Sequence, residues 1–186
     1  MALNSQRLLL KPVQQSNLDD LFRIYGDPAT NTFNPSGPFP DIHYAESVLK
    51  EWLQHWKDNN FGYWAISTQN VPDKVIGFGG ISVKNYANMV INNLGYRLET
   101  ASWGQGYATE LSKFIIQYGF MTLLLPEISA TVRKNHQASK NVLLKSEMQY
   151  IREIADANGA SPSLFFTLKK MEWLILHKDE VTTVIE

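Results

Sequence analysis

The chain has 186 residues, a net charge of −1, 44% apolar and 19% charged residues, and no cysteine. That length suits a single domain, 1–186, able to bury a core without covalent staples, and the composition excludes disorder. The missing cysteine excludes disulfides, thiol catalysis and cysteine-based metal sites; the balanced charge gives a nucleic-acid partner no basic face, and no apolar run reaches the roughly 18 residues of a membrane span.

RLLLKPV (7–13) reads as a first strand. The segment before it has too short an apolar run for a signal peptide. Leu18, Leu21, Phe22 and Tyr25 recur at helical spacing behind Ser16 or Asn17 as a cap. NTFNPSGPFPD (31–41), with three prolines and a glycine, is a loop. A second helix over 41–57 places Ala45, Val48, Leu49, Trp52 and Trp56 on one face. The alternating segments 61–68, 75–83 and 89–99 form an antiparallel meander, with VPD as a turn before the second. A helix over 105–120, a strand over 127–133 and a helix over 136–147 follow. Segments 148–157 and 163–170 close as a hairpin around Asn158–Gly159, and a tail begins at Met171. The order β-α-α-β-β-β-α-β-α-β-β predicts an α+β fold, a mixed and mostly antiparallel sheet with helices on both faces.

The stretch SWGQGYATE (102–110) sets glycines directly before a helix. This is either a bare turn or an anion site, in which the first free N–H groups of the helix face a ligand. A P-loop is excluded, because Gly106 is followed by Tyr107 and Ala108 where Lys-Ser/Thr is needed. A dinucleotide fingerprint is excluded, because Thr109 stands where its last glycine belongs. No Lys or Arg lies between 98 and 112, so a phosphate here would rest on main-chain N–H groups and the helix dipole. That suits a diphosphate within a larger ligand.

The stretch NNLGYRLETASWGQGYATELSKFIIQYGF (92–120) resembles the coenzyme A-binding core of the GNAT acyltransferase superfamily, in its RimJ/RimL-like branch. RLLLKPV, GDPATNTFNP, VIGFGGI, Asn135 with Ser139, and SLFFTLKKMEWL resemble further family segments in the same order. The resemblance implies a GNAT-like fold and acetyl transfer from acetyl-CoA to an amine by direct attack in a ternary complex. The acceptor it implies is a protein N-terminal α-amine or a small amine. A cytoplasmic monomer or homodimer is expected, with no metal, membrane or nucleic-acid partner.

By the same resemblance, main chain from Trp103 through Gly104, Gln105, Gly106, Tyr107 and Ala108 to Thr109 cradles the diphosphate. Asn135 meets the pantetheine arm, unless it is only a helix N-cap. Leu98 N–H polarises the thioester carbonyl. Ser139 donates a proton to the departing thiol or merely supports its helix. Glu99 acts as a base through water or is a solvated strand-end carboxylate. Phe33, Asn34 and Phe39 contact the acceptor or pack within their own loop. His43, His55, His136 and His177 are expected at the surface, and Trp52, Trp56, Trp64 and Phe78 in the core. One departure stands out: Ser146-Glu147-Met148 replaces the family's Gly-Phe at a helix end, which removes the easy left-handed cap. That departure keeps a second reading open, a non-catalytic acyl-CoA-binding domain.

Overall fold

In the computed structural model, residues 2–86, 89–155 and 162–178 are described. One eight-stranded sheet organises them: β1 (Leu3–Asn4), β2 (Leu8–Pro12), β3 (Tyr63–Thr68), β4 (Val71–Tyr86), β5 (Met89–Leu98), β6 (Glu127–Arg133), β7 (Gln149–Ile154) and β8 (Ser163–Lys169). The strands lie in the order β1-β2-β3-β4-β5-β6-β8-β7. Every neighbouring pair is antiparallel except β5 and β6.

Among the described residues, five α-helices cover the sheet: α1 (Leu18–Tyr25), α2 (Ile42–Asn59), α3 (Tyr107–Met121), α4 (Gln137–Lys145) and α5 (Lys170–Leu176). Helix α2 starts where the Asp41 carboxylate accepts from Tyr44 N–H at 2.8 Å, and it stops where Asn60 turns left-handed at φ 61°. Helices α1 and α2 bury Leu21, Ile24, Ala45 and Leu49 against Phe78 and Ala65 on one face. On the other face, α3 buries Leu111, Ile115, Ile116 and Phe120 against Ile81, Leu94, Leu98 and Ile128. Trp64 and Phe78 lie in these cores, and Trp52 and Trp56 pack against them, as expected.

The expected mixed sheet is present, with local corrections. Strand β4 begins at Val71, so VPD belongs to the strand and not to a turn; irregular register between Ile66 and Thr68 absorbs the bend. Helix α3 starts at Tyr107, two residues later than expected, because Gly106 takes φ 79°. Strand β1 and helix α5 are additional. The expected turn at Asn158–Gly159 lies outside the described residues.

Candidate functional site

Strands β5 and β6 meet at one bridge, Asn93 opposite Ser129, and pair no further. Parallel neighbours normally continue pairing, so the two strands diverge here. Glu99 N–H donates to Ile76 O on β4 at 2.8 Å. Alternation along β5 therefore turns the N–H groups of Tyr96 and Leu98 the other way, into the gap. A cleft of about 1070 Å³ runs through this gap.

The glycine turn forms one wall. Gly104 and Gly106 have φ 73° and 79°, and a Cβ on Gly104 would meet nothing within 4 Å. Both glycines are exposed. Helix α3 has no side-chain cap, so the N–H groups of its first turn are open to an outside acceptor. Leu98, Trp103, Gly104, Gly106, Tyr107, Ala108 and Thr109 line the cleft; Gln105 does not. Trp103 Nε1–H ties the turn back to Leu98 O at 3.0 Å. These features fit a diphosphate-bearing ligand such as coenzyme A.

The turn also has a cation that lies far away in sequence. Arg7 donates from Nη1 to Gln105 O at 3.0 Å, and its guanidinium lies 4.7 Å over the Tyr107 ring. Glu110 holds it, with Nε–Oε2 at 2.7 Å. Arg7 thus braces the turn from outside the cleft lining.

Ser139, in the first turn of α4, lines the cleft. Its hydroxyl shares a 3.1 Å hydrogen bond with the Tyr96 hydroxyl of β5. Burial, offset in part by that bond, pushes the Tyr96 phenol up to about 12, so it keeps its proton at neutral pH. The pair offers a proton inside the cleft. Asn135 is exposed and outside the cleft lining, and His136 takes the N-cap position instead of Asn135.

Glu99 does not line the cleft. Its carboxylate is buried between Lys74 Nζ at 2.7 Å and Arg23 Nη1 at 2.6 Å. Burial alone would raise its pKa, but hydrogen bonds and charges from Lys74 and Arg23 outweigh this and hold it below the ordinary range. A carboxylate so stabilised is a poor base, and Glu99 ties β5 to β4 and α1 instead.

Phe33 lines the cleft and stacks on His136, with ring centroids 4.0 Å apart at 14°. The Asn34 side chain borders the cleft but bonds Asn31 Oδ1 and Gly37 O within its own loop. Phe39 packs on Tyr25 and Tyr44, away from the cleft.

His136 is half-buried in the cleft, not at the surface as expected. Burial, then the charge of Arg97, lowers its pKa, so the imidazole is neutral at physiological pH. His55 lines the cleft but is committed to structure: Nδ1 bonds Phe61 O at 2.8 Å, and Nε2 accepts from Val83 N–H at 2.9 Å. His177 bonds Glu147 Oε2 at 2.8 Å.

Glu147 adopts φ 67°. Met148 N–H reaches Leu143 O at 3.1 Å and Glu147 N–H reaches Leu144 O at 3.0 Å. Helix α4 therefore ends in a Schellman turn without a glycine.

A family model described as an acetyltransferase (GNAT) domain matches residues 7–149. A protein of Bacillus licheniformis named as an uncharacterized N-acetyltransferase, p20, is 26% identical over 92% of this chain and 97% of its own length. A spermidine N-acetyltransferase of Vibrio cholerae, solved with CoA and spermine, shares the fold at TM-score 0.73 and 15% identity, over 90% of this chain and 98% of that one. A ribosomal-protein-S5-alanine acetyltransferase of Vibrio fischeri does so at TM-score 0.73 and 16% identity, over 93% and 98%.

Proposed function

We propose, from the premise that this chain belongs to the GNAT acetyltransferase family and is an acetyltransferase, that it acetylates a protein N-terminal α-amine or a small amine in the manner of the RimJ/RimL-like branch. The family uses acetyl-CoA as cosubstrate. The observation that carries the reading is the single Asn93–Ser129 bridge: beyond it the strands part, and the uncapped, glycine-led start of α3 stands at the opening.

In this reading, main chain from Trp103 to Thr109 holds the diphosphate, with Arg7 alongside. Acetyl-CoA supplies an acetyl thioester, and Leu98 N–H donates to its carbonyl oxygen. The amine must lose a proton before it attacks; an α-amine, with pKa near 7.7–8.0, does so far more readily than a lysine near 10.4. His136, neutral and in the cleft, accepts that proton directly or through water. The amine nitrogen then bonds the acetyl carbon and the C–S bond breaks. Ser139 delivers a proton to the leaving sulfur and is backed by Tyr96. A thiol pKa of roughly 8.5 makes this the easier half of the reaction. The non-catalytic alternative loses its argument, since α4 keeps the left-handed turn that Glu147 was expected to remove.

The test is calorimetry with acetyl-CoA together with CoA release over a panel of peptides and amines. Binding with turnover of at least one amine class is expected. Binding without turnover of any would return the chain to an acyl-CoA-binding role.

A further inference from the structure

Arg97 is a cleft cation that meets no carboxylate among the described residues. Arg97 lies on β5 and projects to the face covered by α1 and α2, where its guanidinium sits 4.3 Å over the Tyr25 ring. Nη1 donates to Asn31 Oδ1. Asn31 is itself buried and fixed, donating from Nδ2 to Tyr25 O and Asp27 O, both at 2.8 Å. Among the described residues, Arg7 and Arg23 each pair with carboxylates, whereas no carboxylate lies within ion-pair reach of Arg97. Its other N–H groups have no partner among the described residues. Among the described residues, the charged side chains along the cleft include Lys84, Arg97 and Lys145 as cations and Glu51 as the one carboxylate, a balance that favours an anion over a polyamine.

A second observation points to a hydrogen-bond donor on the same ligand. Asn93, four residues back on the same face of β5, is 4% exposed, and its Oδ1 has no hydrogen-bond partner. Ser82, its register partner on β4, likewise has an unpartnered Oγ. Both line the cleft. A buried acceptor oxygen without a donor is costly, and an N–H from a bound molecule relieves it. The Phe33–His136 stack joins the 31–41 loop to the start of α4 across this face.

Resting on the family reading above, we propose that the acceptor is a small zwitterion of the amino-acid class, its carboxylate held by Arg97 while its amine reacts. The ammonium loses a proton, the nitrogen bonds the acetyl carbon and the C–S bond breaks. The sulfur takes a proton, and the carboxylate stays unchanged on Arg97. The products are an N-acetyl amino acid and free coenzyme. Arg97 can hold the carboxylate bidentately, which fixes orientation as well as charge. The bound carboxylate also offsets the Arg97 charge felt by His136, which restores basicity at the moment it is needed.

The experiment measures CoA release for free amino acids, their carboxamides, short uncharged peptides and spermidine. Each carboxamide keeps the α-amine and replaces the carboxylate by a neutral amide, which also leaves the amine more easily deprotonated. We expect kcat/KM for the preferred acid to exceed that of its amide by about tenfold or more, since a site built to bind a polar group rejects the analogue lacking it. In Arg97→Gln that ratio falls toward one, and Arg97→Lys keeps part of it. A ratio taken within one variant is unaffected by loss of folded protein. Amides, peptides or spermidine turned over as well as acids overturn the inference, as does a ratio unchanged in Arg97→Gln; acetyl transfer itself survives both results. If no amine releases CoA and acetyl-CoA does not bind, the reading of the cleft fails and the inference fails with it.

Discussion

The Tyr96 and Ser139 hydroxyls share a 3.1 Å hydrogen bond between strand β5 and helix α4. If this pair protonates the leaving sulfur, its loss acts on the transition state and not on coenzyme binding. General acid catalysis is typically worth 10²–10⁴-fold, but a thiolate leaves easily, so Ser139→Ala should lower kcat by roughly 10- to 100-fold. The dissociation constant of acetyl-CoA should stay within about twofold. Steady-state turnover and calorimetry check this; unchanged turnover would assign Ser139 to helix support. Tyr96→Phe should show a smaller loss, because Ser139 keeps its own proton.

Gly106→Asp should remove acetyl-CoA binding while leaving a folded protein. Gly106 sits at φ 79°, and a Cβ there would approach Arg7 Nη2 at 3.4 Å. The new side chain would put bulk and negative charge where a diphosphate belongs. Calorimetry at millimolar coenzyme is the measurement, and normal binding would mean the cradle lies elsewhere. Arg7→Gln should weaken binding only partly, since the main-chain N–H groups remain.

The glycine turn was legible because its demand is local: a positive φ and an open helix start need Gly104 and Gly106 whatever the rest of the chain does. Ser139 was legible only through the family pattern. Glu99 could be placed at a strand end, but its partners Lys74 and Arg23 come from β4 and α1, so no local signal marked it as a clamp. Arg7 reaches Glu110 across 103 residues of sequence. His136 takes its stacking partner from Phe33 and its lowered basicity in part from Arg97, on two other elements. Contacts of this kind leave no periodicity to read.

The pH profile should expose His136. Burial and Arg97 lower its pKa, so the acid limb of kcat/KM should lie below the ordinary histidine value of about 6.5. The facing groups are Arg97 from β5 and Phe33 from the 31–41 loop. Activity should rise with pH through that limb as the imidazole becomes free to accept a proton. His136→Gln should remove the limb and lower the rate; a limb that persists would assign it to another group.

Glu99→Gln should cost stability and not turnover. The folded pKa of Glu99 is depressed, so its contribution is present above the unfolded value near 4.3 and is lost as pH falls through the folded value. Charge-assisted hydrogen bonds of this kind place the cost at about 1–2 kcal/mol at pH 7. Melting curves of both proteins should converge under acid. A large fall in kcat with normal stability would restore Glu99 as a base.

Glu147→Gly should stabilise the fold. A side chain held left-handed carries a steric cost of roughly 1–2 kcal/mol between Cβ and carbonyl oxygen, which glycine lacks. Two terms oppose the gain. Glycine makes the unfolded chain more flexible, and the substitution removes the 2.8 Å bond from Glu147 Oε2 to His177. That bond lies on a partly exposed pair, so its net worth is about 0–1 kcal/mol. The balance favours glycine by about 0.5–1 kcal/mol, which for a chain of this size is roughly 1–4 °C in melting temperature. Glu147→Ala separates the terms: it loses the His177 bond and keeps the left-handed strain, so it should be destabilised. A melting temperature for Glu147→Gly at or below that of Glu147→Ala, which loses the same His177 bond, would show that the left-handed turn holds no strain for glycine to relieve.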